Sequence, residues 1–126
     1  MTTKDIGTVG EKYAAKFLKK KGFRILHQNL HVSHNELDII AANKELILFV
    51  EVKTRTSNPD QTYFGTPSSA VDRGKRMRTV EAAQAYLRSN PTKRQPRMDV
   101  IEVWLSPERL SLVSINHIEN AFGVRA

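Results

Sequence analysis

The sequence predicts a single α/β domain in which a mixed β-sheet is flanked by helices. The chain has 126 residues, 40 % of them hydrophobic, which suffices for one hydrophobic core. No repeat, low-complexity tract or linker divides it, so residues 1–126 are expected to form one domain. The predicted order of elements is helix, three strands, helix, two strands and a short C-terminal helix. This order indicates a mixed sheet with helices on its faces.

The first helix is predicted to begin at Thr2 or Thr3, since either hydroxyl can cap a helix N-terminus. Its apolar residues recur at helical spacing: Ile6, Val9, Tyr13 and Phe17. Gly22 follows three lysines and can end the helix as a left-handed cap, while the lysines suit the negative end of the helix dipole. Residues 23–32 are predicted to be extended.

The next two strands are predicted at residues 36–42 and 45–53, joined by a tight turn at Asn43-Lys44. Residues 46–50 are continuously apolar, as in a strand buried on both faces. A long loop is predicted at residues 54–66, and loops of this length are often functional. Its two aromatic residues can stack on unpaired bases or fix the loop to the core: Tyr63 and Phe64.

The second helix is predicted to begin near Pro67, where Ser69 and Asp72 resemble a capping box, and to end at Asn90-Pro91. Two further strands are predicted at residues 97–105 and 110–115. A short helix at residues 118–122 would close the chain. Trp104 lies in the first of these strands and is predicted to belong to the core.

The composition narrows the possible function classes. The chain contains no cysteine, which excludes disulfides and thiolate metal sites. Its N-terminus lacks the apolar stretch of a signal peptide, and its longest apolar run is too short to span a bilayer, so a cytoplasmic protein without membrane contact is expected. A net charge of +7 favours a polyanionic partner over an inert basic surface. Charge alone fits DNA, RNA and anionic lipid equally.

Three carboxylates and a lysine lie on the two central predicted strands. Glu51 and Lys53 share one face, because side chains alternate along a strand. Counting back from a two-residue turn, Glu36 lies opposite Glu51, and Asp38 is its diagonal neighbour at about 7–8 Å between α-carbons. Asp38, Glu51, Lys53 and Glu36 are therefore predicted to converge at one end of a hairpin.

This convergence has two interpretations. Oxygen ligands at that separation can share a Mg²⁺ ion that also contacts a phosphate, and a nearby lysine can orient a water and offset charge on phosphoryl oxygens. Alternatively, the charges keep an edge strand soluble. The charges continue the most apolar strand and carboxylates of two strands meet, which argues against the edge-strand interpretation. The residues alone leave both open.

A series of motifs along nearly the whole chain resembles the PD-(D/E)XK nuclease superfamily. Within it, the chain is similar to the bacterial YraN-like family, which is grouped with archaeal Holliday junction resolvases. The motifs are, in order, GEKYA (10–14), GF (22–23), QNL (28–30), NELDII (35–40), FVEVKTR (49–55), Lys75 and MDV (98–100). Leu37 and Asn35 depart from the pattern, which has proline and glycine there, but neither change removes a ligand.

The resemblance implies a restriction-endonuclease-like fold and metal-dependent hydrolysis of phosphodiester bonds in DNA, with branched or junction DNA as the favoured substrate. It implies Mg²⁺ or Mn²⁺ ligation by Asp38 and Glu51, a catalytic role for Lys53 and a supporting acidic role for Glu11. It also implies a homodimer, since a resolvase cuts two strands symmetrically.

Basic residues beside these motifs are predicted to contact nucleic-acid phosphates: Arg55, Arg73, Lys75 and Arg76. A solvated helix face is the alternative for those on the second helix. A second hypothesis for the whole chain is a nucleic-acid-binding protein that retains the fold without catalysis, and a third is an interaction module. Three histidines are predicted to be structural or solvated, because an extended segment scatters them: His27, His31 and His34.

Overall fold

A computed structural model describes residues 3–56 and 73–122. Its elements are α1 (Thr3–Lys20), β1 (Arg24–Val32), β2 (Asn35–Ala42), β3 (Leu46–Arg55), α2 (Arg73–Ser89), β4 (Gln95–Leu105) and β5 (Leu112–Phe122). The strands form one sheet in the order β1-β2-β3-β4-β5. β3 and β4 are parallel and the other neighbours antiparallel. The predicted mixed α/β class and the order of two helices and five strands are confirmed.

The two helices cover opposite faces of the sheet. On one face, Leu18 of α1 packs among alternate strand residues such as Ile39 and Val50. On the other, Tyr86 of α2 packs with Ile40 and Phe49. This alternation explains the continuous apolar run of β3, because both of its faces are buried. Trp104 is buried as predicted. No helix in residues 3–56 and 73–122 is long and apolar enough to cross a membrane.

Helix α1 ends where the sequence predicts. Gly22 has φ 97°, a left-handed conformation that suits a residue without a Cβ. Its N–H donates to the carbonyl of Lys19 at 3.0 Å, and the N–H of Phe23 donates to that of Leu18 at 3.0 Å. These bonds satisfy carbonyls of the last helical turn, so the chain turns directly into β1.

At Gly10, helix α1 closely approaches the end of β3. A Cβ at this position would overlap the Thr54 side chain, including its Cβ, whereas a Cβ on Gly7 would meet nothing within 4 Å. We expect Gly10→Ala to lower the free energy of unfolding by about 2 kcal/mol through overpacking. Gly7→Ala, the matched control in the same helix, should raise it by about 0.5–1 kcal/mol. Urea unfolding of both variants measures the difference, and equal effects would refute the close approach.

β4 and β5 hold a buried ionic network beneath the C-terminus of α1. The Asp99 side chain is 0 % exposed and accepts two hydrogen bonds from Arg97 at 2.9 Å and one from the N–H of Asn120 at 2.9 Å. His117 Nε2 lies 2.7 Å from Asp99 Oδ2, and its Nδ1 is 2.9 Å from Lys21 Nζ. Burial alone would raise the pKa of Asp99, but hydrogen bonds from His117 and Arg97 outweigh it, so the pKa is lowered.

The short C-terminal helix predicted at residues 118–122 is wrong. Those residues continue β5, which pairs with β4 from Leu112 to Phe122 with a register shift between Met98 and Val100. Asn120 has φ 52° at this irregularity. Its N–H donates to the buried Asp99 instead of to a helical turn. A buried acceptor on the neighbouring strand therefore determines the local conformation.

The predicted loop at residues 54–66 begins later than expected, because Thr54 and Arg55 belong to β3. From residue 57 onward it lies outside the described residues, with its aromatic pair, Tyr63 and Phe64. The predicted start of the second helix lies there as well: Pro67, Ser69 and Asp72.

Candidate functional site

A cleft of about 350 Å³ opens on the α2 face of the sheet. Its walls come from the β1–β2 turn, β2, β3 and α2. The residues that line it are His34, Asn35, Glu36, Asp38, Glu51, Lys75, Arg78 and Thr79. The structure thus brings Asp38 and Glu51 to one side of the sheet, as the alternation of strand side chains predicts.

The turn between β2 and β3 differs from the predicted two-residue hairpin. Asn43 accepts hydrogen bonds on its side-chain oxygen from the N–H groups of Glu45 and Leu46, at 2.9 and 2.7 Å. The turn is longer as a result, and Ala42 pairs with Ile47. The register is therefore shifted by two residues from the prediction. A shift of two leaves every side chain on its predicted face, since the alternation has a period of two.

In this register Asp38 lies opposite Glu51 rather than diagonal to it. The last β2–β3 pair is Ile39 with Val50, and Asp38 and Glu51 are one step beyond it. There the Asp38 side chain, instead of a backbone carbonyl of β2, is the acceptor for β3: its Oδ2 accepts a hydrogen bond from the Val52 N–H at 2.9 Å. This bond fixes one carboxylate oxygen against β3 at the point where regular pairing of the two strands ends.

The environment of Asp38 disfavours its charge. Burial and then the nearby charge of Glu51 raise the pKa of Asp38 to about 7, against the hydrogen bond from Val52. The charge of Glu11 acts in the same direction, and that of Lys75 opposes it. Near neutral pH the Asp38 carboxyl is therefore divided between its protonated and ionised forms.

Two lysines meet the same oxygen of Glu51, whose side chain is 7 % exposed. Lys53 Nζ lies 3.5 Å from Oε1, and Lys75 Nζ of α2 forms an ion pair with that atom. Burial, and then the charge of Lys75, lower the pKa of Lys53. For Lys75 burial also acts to lower the pKa, but the hydrogen bond and charge of Glu51 outweigh it and raise the pKa. The sequence predicts Lys75 only as a phosphate contact, because its place beside Glu51 depends on how α2 packs on the sheet.

Glu11 reaches the cluster from α1. Its Oε2 accepts a hydrogen bond from Asn29 Nδ2 at 3.1 Å, and Asn29 has φ 51°. Burial raises the pKa of Glu11 against this hydrogen bond, and the charge of Glu36 adds to the increase. The packing of Gly10 on Thr54 brings this part of the helix to the end of β3. The structure therefore places Glu11 with the other acidic residues, held by a residue that sequence reasoning gave no role.

The other basic residues predicted to bind nucleic acid have different surroundings. Arg55 ends β3 and is half-buried, and the Arg76 guanidinium lies 5.5 Å from the centre of the Phe122 ring. Arg73 begins α2, but its side chain lies outside the described residues. Arg78 belongs to the same basic cluster at the start of the second helix that the sequence favours as a phosphate contact, and it is exposed and lines the cleft. Its exposed side chain can therefore meet a ligand from solvent.

The three histidines do not gather into a metal site. His31 lies 3.4 Å from Glu36, His27 contacts the Tyr86 ring with its edge, and His34 lines the cleft. Across residues 3–56 and 73–122, no group of three His, Asp or Glu side chains is arranged to hold a metal ion. A Mg²⁺ ion needs fewer protein ligands, since one or two carboxylates can bind it with waters and substrate phosphates.

The raised pKa of Asp38 has a consequence for stability. With a folded pKa of about 7 against an ordinary value of 3.8, ionised Asp38 costs stability as pH rises from about 4 to 7, and the cost is constant above that. In EDTA at pH 8, Asp38→Asn should therefore raise the free energy of unfolding by up to about 1 kcal/mol, since Asn retains an oxygen for the Val52 N–H.

Urea unfolding at pH 8 and pH 4.5 measures this effect, with Glu45→Gln, an exposed β2–β3 turn residue, as control. The increase in the free energy of unfolding of Asp38→Asn should be much smaller at pH 4.5 than at pH 8. The control variant should have nearly the same free energy of unfolding as wild type at either pH. If Asp38→Asn were less stable than wild type at pH 8, burial and the nearby charge of Glu51 would not destabilise the ionised Asp38 carboxylate.

Comparison with known proteins shows one family. Residues 10–103 match the model of the uncharacterised protein family UPF0102. The UPF0102 protein of Caldanaerobacter subterraneus subsp. tengcongensis is 52 % identical over 120 residues, covering 94 % of this chain and 95 % of that protein. That of Alkaliphilus oremlandii is 46 % identical, covering 94 % and 98 % of the two chains, and that of Clostridioides difficile is 41 % identical, covering 97 % and 100 %. The matched range includes every residue of the acidic cluster.

Proposed function

The chain belongs to the family UPF0102, and we propose that it is a metal-dependent endonuclease that hydrolyses phosphodiester bonds in DNA. One observation carries the proposal: Asp38 and Glu51, from adjacent strands, line one cleft with a lysine at the Glu51 carboxylate. This arrangement supports the resemblance to YraN-like and other PD-(D/E)XK nucleases, which assigns these residues to catalysis. The basic surface adds support, because phosphate neutralisation favours binding to DNA.

The donor set suits Mg²⁺ or Mn²⁺. Asp38 and Glu51 line the same cleft and offer the hard oxygen ligands that these ions prefer. Asp38 and Glu51 would hold the ion, which when bound supplies Lewis-acid polarisation of the phosphate and activation of water. Glu11 strengthens the negative field at Asp38, and its hydrogen bond with Asn29 fixes its orientation.

The lysines act on the phosphate itself. Lys53 is held near Glu51 with its side chain only 17 % exposed, so its ammonium is positioned before substrate arrives. From there it can offset charge that develops on the phosphoryl oxygens and orient the attacking water. Lys75 and Arg78 enter from α2 and can bind the flanking phosphates. These roles need no large movement of the sheet, because all the groups project from regular elements.

A second candidate is a nucleic-acid-binding protein that retains the fold without catalysis. The observation that favours it is the double ion pair at Glu51, because a carboxylate already neutralised by two lysines has less need of a metal ion. In this case the cleft would bind phosphates through Lys75 and Arg78, and the carboxylates would only position the lysines.

A cleavage assay across linear, flapped and four-way DNA, each with Mg²⁺, Mn²⁺ or EDTA, separates the two candidates. The nuclease proposal expects cleavage of at least one substrate with a metal ion and none in EDTA. Faster cleavage of the four-way junction than of linear DNA would identify branched DNA as the preferred substrate. Binding of all substrates without cleavage in either metal would support the second candidate instead.

A further inference from the structure

A second basic cleft lies on the other side of the acidic cluster, between α1 and β1. Its volume is about 460 Å³, and its lining includes Lys12, Lys16 and Lys19 of α1 and Gln28 of β1. We propose that this lysine cleft binds the phosphate backbone of duplex DNA that flanks the bond to be cut. The inference rests on the proposed function for the position of that bond, but the binding itself can be measured separately.

The spacing of the lysines suits a phosphate backbone. Residues four and three positions apart lie on the same face of a helix, so Lys12, Lys16 and Lys19 form one row. At about 1.5 Å of rise per residue the row is about 10.5 Å long. One DNA strand advances about 3.4 Å per phosphate, so the row extends along roughly three phosphates.

The three lysines of the lysine cleft are exposed. None of the lining residues is acidic, and none of the three lysines forms an ion pair within residues 3–56 and 73–122. Lys53, Lys75 and Arg97, by contrast, each contact a carboxylate. Three exposed ammonium groups in one row repel each other, and a polyanion relieves that repulsion and releases counterions.

The lysine cleft adjoins the candidate active site along two elements. On α1, Lys12 lines the cleft while the preceding residue, Glu11, belongs to the acidic cluster. On β1, Gln28 lines the cleft while the following residue, Asn29, holds Glu11. The lysine cleft is therefore linked to the acidic cluster through Glu11 on α1 and Asn29 on β1.

Duplex DNA is the occupant that the cleft fits best. Proteins that bind single strands use exposed aromatic side chains on which the bases stack. Tyr13 is the aromatic residue that lines this cleft, but it is half-buried and packs against the hydrophobic core. Lysines and a polar Gln28 provide backbone contacts without reading bases, as expected for paired DNA.

The test replaces Lys12, Lys16 and Lys19 together with glutamine. The matched control removes three exposed lysines that do not line the cleft: Lys20, Lys44 and Lys93. Binding of a short DNA duplex is measured in EDTA over a range of KCl concentrations, so that cleavage plays no part. Circular dichroism melting verifies that both variants fold.

We expect the slope of log affinity against log salt to fall by about 2.7 in the cleft variant, about 0.9 for each lost phosphate contact, and by less than about 1 in the control. Equal slopes for the cleft variant and wild type, or equal losses in the two variants, would overturn the inference. A loss confined to single-stranded DNA or RNA would also overturn it, because the proposed ligand is a duplex.

Failure of this inference is distinguishable from failure of the proposed function. If wild type cuts DNA with Mg²⁺ but the cleft variant binds duplex normally, the lysine cleft is refuted and the nuclease stands. If the cleft variant loses duplex binding but wild type cuts nothing with either metal, the cleft stands and the nuclease is refuted.

Discussion

Replacing Lys53 with alanine is expected to reduce metal-dependent DNA cleavage by about 100-fold or more while leaving DNA affinity nearly unchanged. The Lys53 ammonium lies at the Glu51 carboxylate and its side chain is only 17 % exposed, so it contributes little to the first attraction of a polyanion. From its position the ammonium can offset the negative charge that develops on the phosphoryl oxygens during the reaction. The rate under saturating DNA and the dissociation constant in EDTA measure the two effects separately.

The matched control for this prediction is Lys44→Ala. Lys44 is an exposed lysine in the β2–β3 turn, beyond the end of β3 opposite to Lys53. Removal of its charge should leave the cleavage rate close to that of wild type. If Lys53→Ala lost affinity and rate in proportion, Lys53 would be a phosphate contact rather than a catalytic residue.

Replacing Asp99 with alanine should lower the free energy of unfolding by about 3–5 kcal/mol, because the change removes the buried acceptor shared by Arg97, His117 and the backbone N–H of Asn120. Asp99 is 0 % exposed and joins Arg97, His117 and the backbone of Asn120. Its loss would remove the buried side-chain contacts of Asp99 with His117 and Asn120 of β5, so the effect should exceed that of a typical substitution. Urea unfolding with an unchanged m-value is the measurement.

Glu119→Ala is the matched control, because Glu119 contacts the same Arg97 at 3.1 Å but is 57 % exposed. Exposed ion pairs contribute little, so this variant should lose less than about 1 kcal/mol. Similar small losses in both variants would show that the Asp99 network is not a major contributor to the stability of the fold.

The residues of the site lie on the predicted face of the sheet, although the turn between β2 and β3 is longer than predicted. The sequence predicts that Asp38, Glu51 and Lys53 share a face because strand side chains alternate, and that property is local. The register depends on the turn, and Asn43 lengthens the turn by accepting two backbone N–H groups. The register differs from the prediction by two residues, so each side chain keeps its predicted face, and Asp38 moves from the diagonal of Glu51 to the position opposite it. An error of one residue would have separated them.

Other features depend on contacts between segments that are distant along the chain, so no local sequence pattern predicts them. Lys75 is predicted on a helix, but its contact with Glu51 depends on how α2 packs across the sheet. The strand conformation of residues 118–122 depends on the buried Asp99, far away in sequence. The grouping of Gln28 with the lysines of α1 likewise follows from the packing of α1 against β1.

The metal site is tested most directly by the initial rates of DNA cleavage by wild type and Glu51→Gln as Mg²⁺ is titrated into EDTA-treated protein. Glutamine keeps the shape of the side chain but removes the charge that would hold the ion. The metal-site account predicts that wild type is inactive without metal and rises to a saturating rate, while Glu51→Gln stays at background at every Mg²⁺ concentration. Cleavage by wild type that persists in EDTA, or equal rates for the two proteins, would contradict it.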